Sequence, residues 1–133
     1  YRNFAQSQIE ALLPLLHRIV REHHIPRANV VAHSDVAPAR KTDPGELFPW
    51  ELLARHGLCL HRPERLDLGD PFSNDGAFFL ALERFGYDIS DPDMAVAAFQ
   101  RRWRPEQIDG EVDGECRAIL FQLLLDRDRG LAR

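Results

Sequence analysis

The sequence predicts an α+β chain, mostly helix with one short strand, and three observations lead there. Apolar residues recur at helical spacing in four separate stretches. The run Val30-Val31-Ala32-His33 opens with two β-branched residues and lies between the breakers Pro26 and Asn29 and a Pro-punctuated loop. At 133 residues, with 44% hydrophobic and 29% charged positions, the composition is that of a globular domain or two small ones.

In chain order, Ile9, Leu12, Leu13, Leu16, Ile19 and Val20 mark an amphipathic helix over residues 8–20. Pro14 falls inside it, where a missing N–H and a crowded carbonyl predict a bend near Glu10. His23 and His24 suit the negative end of the helix dipole, which we favour over metal binding for them. In the strand at 30–33, Val31 and His33 share one face and Val30 and Ala32 the other. Residues 35–45 are loop, broken by Pro38, Pro44 and Gly45. A short helix over 48–56 opens at Pro49 and stops at Gly57. Residues 58–71 lack a clear period and read as a linker or an irregular packed connection. Three further helices follow. One uses Phe78, Ala81, Leu82 and Phe85, one runs from Asp91-Pro92 to Trp103, and one starts near Asp113 and uses Cys116, Ile119, Leu120 and Leu123.

Composition narrows function by exclusion. The formal net charge of −4, without a basic run, argues against a nucleic-acid partner held through phosphates. No apolar stretch approaches the roughly 18–20 residues of a membrane span. Cys59 and Cys116 are too far apart in sequence for a CxxC metal pair and are expected to be buried thiols. Tyr1-Arg2-Asn3-Phe4 lacks a signal-peptide layout, and without an initiator Met the chain is expected to be a processed or trimmed piece.

The chemistry concentrates in one loop. His33, Lys41 and Asp43 put an imidazole, an ammonium and a carboxylate within eleven positions. Zinc accepts imidazole nitrogen and carboxylate oxygen, and an ammonium can offset charge that develops when zinc-bound water attacks a carbonyl. The loop must fold back for His33 and Asp43 to meet. On spacing alone, a strand-end histidine, a surface lysine and a turn aspartate before Pro44-Gly45 are the favoured reading of the run.

The run His33-Ser34-Asp35-Val36-Ala37-Pro38-Ala39-Arg40-Lys41-Thr42-Asp43-Pro44-Gly45, continued by Leu47-Phe48-Pro49-Trp50, resembles the signature of the zinc-dependent N-acetylmuramoyl-L-alanine amidases of the amidase type 2 family. The resemblance implies that His33 and Asp43 are zinc ligands and Lys41 the catalytic lysine. Arg40 becomes a candidate for the substrate's carboxylates, or is simply a surface arginine. The helix at 8–25 is similar to the one that precedes this signature. Phe85-Gly86-Tyr87-Asp88, the run from Ala97 to Pro105, Asp109-Gly110 and Asp113 resemble the C-terminal peptidoglycan-binding three-helix domain of the periplasmic or outer-membrane branch. For wall contact, Arg101, Arg104 and Gln107 are the exposed polar candidates.

Several expectations follow from the resemblance. Residues 1–60 are the C-terminal portion of a zinc amidase domain, 61–72 a linker, and 73–133 a three-helix peptidoglycan-binding-like bundle. The first zinc histidine and the water-activating acid precede Tyr1, in the same protein or a separate chain, and the strand at 30–33 keeps an exposed edge. His17, His23, His24, His56 and His61 do not stand in the missing ligand's context, nor Glu22, Glu46 and Glu51 in the acid's. Gly57-Leu58-Cys59-Leu60-His61 departs from the family's Gly-Ile-Gly and Trp at this point. The implied activity is zinc-assisted cleavage of the N-acetylmuramoyl–L-alanine amide in peptidoglycan or muropeptides, in the periplasm or outer membrane of a Gram-negative-type bacterium, or alternatively the cytoplasm. A non-catalytic wall-binding fragment and a purely structural fragment are the rival readings.

Overall fold

The computed structural model describes residues 3–64, 72 and 74–128. Six α-helices follow in order: α1 (Gln6–His23), α2 (His33–Val36), α3 (Trp50–Arg55), α4 (Asp75–Phe85), α5 (Pro92–Trp103) and α6 (Gly114–Asp128). Several of their ends have a local cause. Helix α1 includes Pro14 and ends at His24, whose left-handed φ of 52° lets its N–H reach the Val20 carbonyl. Asn74 caps α4 through the Ala77 N–H, and Asp91 caps α5 through the Met94 N–H with Pro92 in the first turn. Asp113 accepts from the Cys116 N–H at 2.9 Å and so opens α6. Gly57 and Gly86 end α3 and α4 with φ values of +74° and +128°, which a side chain would oppose.

One expectation needs correcting. Among the described residues there is no strand, so the α+β reading gives way to a helix-rich chain. Val30 and Ala32 do have extended dihedrals, yet the Val30 N–H turns back to the Arg27 carbonyl and Ala32 becomes the cap of α2. β-Branched residues favour extended backbone, but a strand also requires a neighbour to pair with, and none of the described segments supplies one. His33 therefore opens a single helical turn instead of closing a strand. Part of the expected linker, residues 65–71, lies outside the described residues.

Burial falls into two clusters. Ala32, Trp50, Leu53, Ala54, Leu58 and Cys59 form the first, covered by Leu13, Leu16 and Val20 of α1. The second gathers Phe78 and Leu82 of α4, Val96, Phe99 and Trp103 of α5 and Ile119, Leu120 and Leu123 of α6, together with Leu60 and Tyr87. Cys59 and Leu60 are sequence neighbours that enter different clusters. Both cysteines are buried free thiols, as the sequence suggests. Burial pushes Cys116 up to about 11, which keeps it protonated and unreactive.

Polar groups tie the clusters together. Arg102 of α5 lies between two indoles, its guanidinium carbon 3.9 Å from the ring centres of both Trp50 and Trp103. It also donates to the Leu60 carbonyl at 3.3 Å. Tyr87, from the connection between α4 and α5, donates its hydroxyl to Asp35 of α2 at 2.5 Å. No helix among the described residues is long and apolar enough to cross a membrane.

Candidate functional site

The site starts from helix α2, one turn long and therefore dependent on its surroundings. Asp35 secures its start by accepting the Ala32 N–H at 2.9 Å, the return contact of an acid at the third helical position. Helix α2 then packs against α5. After it, Arg40 and Lys41 both donate backbone N–H groups to the Ala37 carbonyl, which turns the chain around. The loop closes where the Ser34 N–H meets the Asp43 carbonyl at 3.1 Å.

That closure brings His33 and Asp43 together. His33 Nδ1 lies 3.2 Å from Asp43 Oδ2, with both side chains about half exposed. The fold-back that the sequence required is present. Two donors each roughly 2.0–2.1 Å from a tetrahedral zinc lie about 3.3 Å apart, so this nitrogen and oxygen are spaced as neighbouring ligands would be. The donor chemistry and spacing fit zinc. Among the described residues no third histidine, cysteine or carboxylate joins them.

Lys41 lies on the exposed rim of the same loop. Neither Asp35 nor Asp43 pairs with it among the described residues, so its ammonium is not tied into a structural salt bridge with either. Arg40 is exposed beside it. Of the wall-contact candidates, Gln107 is exposed and Arg101 half-buried. Arg104 is corrected: it is 3% exposed, donating to Asp113 at 2.5 Å and to the Gln107 carbonyl at 3.0 Å. Its charge serves the fold, because the loop after α5 folds over it and the cap of α6 pairs with it.

Reading the residues singly misses Asp35, Tyr87 and Arg102. Asp35 is 7% exposed, and burial raises its carboxyl above the ordinary value against the opposing pull of Tyr87, the Ala32 N–H and Arg102. Burial and the facing carboxylate push the Tyr87 phenol well up, so it stays a donor. Ala32 offers no side-chain cap, so its spacing to Asp35 is no sequence signal. Tyr87 lies 52 positions away, and no local signal marks the pair.

This loop, its histidine–carboxylate pair and the helix before it lie within the stretch that matches a known family. Residues 1–46 match the N-acetylmuramoyl-L-alanine amidase family. The family resemblance read from the sequence is borne out. The chain is 41% identical over 135 aligned positions to N-acetylmuramoyl-L-alanine amidase AmiD of Escherichia coli, an alignment covering 91% of this chain and 49% of AmiD. A shorter match, 36% identical over 47 positions, is to 1,6-anhydro-N-acetylmuramyl-L-alanine amidase AmpD of Enterobacter cloacae, covering 35% of this chain and 25% of AmpD. In three dimensions the chain is similar to AmiD in complex with its substrate anhydro-N-acetylmuramic acid-L-Ala-D-γ-Glu-L-Lys, with a TM-score of 0.82 and 35% identity over 98% of this chain and 55% of that one. It is also similar to AmpDh3 of Pseudomonas aeruginosa, with a TM-score of 0.84 and 30% identity over 98% of this chain and 56% of that one. The chain thus spans about half the length of the amidase AmiD.

Proposed function

We propose that the protein is a peptidoglycan amidase that hydrolyses the amide between N-acetylmuramic acid and L-alanine, and that this chain carries part of its metal centre. The observation that carries the reading is the His33–Asp43 pair, brought to 3.2 Å by a closed loop. His33 and Asp43 would hold zinc, which when bound polarises a carbonyl and makes water a nucleophile near neutral pH. A further ligand and the acid that accepts the water's proton have to come from outside the described residues. Lys41, on the rim of the loop, offsets negative charge as the amide carbon becomes tetrahedral. Arg40, exposed beside Lys41, would meet carboxylates of the stem peptide. Muropeptides or intact peptidoglycan are the substrate class, in keeping with the anhydromuramic peptides bound by the AmiD and AmpDh3 structures.

For the organisation, our reading keeps residues 1–60 as the C-terminal portion of the amidase domain, 61–72 as a connection, and 73–133 as a three-helix peptidoglycan-binding-like bundle. The common core of α4, α5 and α6 supports the bundle. Extended backbone at Val30 and Ala32, with Val31 about half exposed, would leave room for a neighbouring strand of an amidase sheet. A wall substrate favours the periplasm or outer membrane of a Gram-negative-type bacterium.

Turnover of an anhydromuramyl peptide by the full-length protein tests the proposal. Lys41→Ala is expected to keep zinc, measured by metal analysis, while kcat falls about 100-fold or more. Unchanged turnover would remove Lys41 from the chemistry, and zinc retained undiminished by His33→Ala would remove the metal pair.

A further inference from the structure

We propose that Tyr87 is a positioning residue for the His33–Asp43 pair, acting across the boundary between the two halves through the buried Asp35 carboxylate. The inference rests on the metal reading of that pair. Its geometry is a short chain of contacts. The Tyr87 hydroxyl donates to Asp35 Oδ1 at 2.5 Å, and Asp35 Oδ2 accepts the Ala32 N–H at 2.9 Å. Ala32 is the residue before His33, and Ser34, the residue after it, holds the Asp43 carbonyl at 3.1 Å. One carboxylate thus fixes the backbone on the near side of His33, and the peptide on its far side fixes Asp43.

The anchor of this chain is rigid. The Tyr87 ring stacks 6.4 Å from Phe85 and lies edge-on to Phe99 at 5.9 Å, inside the core shared by α4, α5 and α6. Helix α2 is a single turn and cannot hold its own orientation. The second core therefore sets where the first half's imidazole points. A carboxylate that takes donors from both directions acts as a strut, and removing one donor loosens it without emptying the cavity.

The test uses Tyr87→Phe, which keeps the ring and removes only the hydroxyl. In the full chain without metal, amide hydrogen exchange at Ala32 and Ser34 is expected to accelerate about tenfold while Leu120 in α6 stays protected. In the full-length protein, zinc affinity by chelator competition is expected to fall about tenfold, as when a ligand's supporting contacts are removed. Leu124→Ala, a core truncation in α6 that does not touch the strut, serves as the comparison. It should lower the melting temperature and leave both readouts unchanged below it. Wild-type exchange and zinc affinity in Tyr87→Phe would overturn the proposal, as would equal shifts in Leu124→Ala. Exchange that accelerates with no change in zinc affinity, while His33→Ala loses zinc, would show that the strut does not position the pair. If His33→Ala binds zinc like the wild type, the metal reading itself falls, whatever Tyr87→Phe does to exchange.

Discussion

Gln100 shows how a single side chain organises structure beyond its own helix. Fully buried in α5, its amide nitrogen donates to Asp109 Oδ1 and the Glu111 carbonyl, both at 2.9 Å. Its oxygen accepts the N–H groups of Asp109 and Gly110 at 3.0 and 2.9 Å. The loop before α6 is wound around this amide, and Gly110 fits because its φ is +73° with the Asp93 carbonyl beside it. Gln100→Leu strands two loop N–H groups and an acceptor, so it should cost about 2–4 kcal/mol in urea unfolding. A loss under about 0.5 kcal/mol would mean that water replaces the amide at no cost. The contact between His33 and Asp43 was legible at this scale because a long signature carries both residues. Arg104 was not, because its burial depends on Asp113 and on the carbonyl of Gln107, and hydrophilic spacing on a helix does not reveal either.

At the scale of elements, helices were read well because their signals are local: period, caps and stops lie within a few residues. The predicted boundaries at Gly57, Gly86, Asp91-Pro92 and Asp113 all match observed helix ends. The strand at 30–33 was misread because pairing is not a local property, and a β-branched run states only half of it. The cap of α6 yields a pH prediction. Burial raises the Asp113 carboxyl, but the Arg104 hydrogen bond and the Cys116 N–H more than offset this, leaving it below its ordinary value. A carboxyl depressed in the folded state stabilises above its unfolded value near ~3.9, and that stabilisation disappears as pH falls through the folded value. Wild type should therefore exceed Asp113→Asn in urea midpoint at pH 7, and the gap should narrow from about pH 5 downward. A gap that stays constant to pH 3 would rule out the charged carboxylate as its source.

Across the whole molecule, the two clusters are joined by the contacts of Arg102 and Tyr87. Arg102 is 7% exposed, and its desolvated guanidinium is compensated by two indole faces and the Leu60 carbonyl, with Asp35 nearby as counter-charge. Thermal unfolding of the chain should accordingly show one transition, the same by far-UV circular dichroism and by tryptophan fluorescence. Arg102→Leu removes the bridge between Trp50 and Trp103 and should separate the two probes or lower the urea midpoint by an equivalent of about 2–4 kcal/mol. Coincident probes at an unshifted midpoint would mean that apolar contact alone couples the halves. None of this coupling was visible in the sequence. Arg102 reads there as one charge in an Arg-Arg-Trp-Arg run, and Asp35 as one more acid in a loop.

The adjacency of Cys59 and Leu60, one serving each cluster, bears on how such a chain can be recombined. There is no slack at that junction, so an insertion or deletion between them would withdraw one side chain from its core. A splice that grafted a foreign set of C-terminal helices after Arg62 would preserve the junction but strip Asp35 and Trp50 of their counterparts, Tyr87 and Arg102. Exchange of the C-terminal half is therefore expected to favour donors that carry a phenol and a guanidinium at these positions, two residues far from the cut.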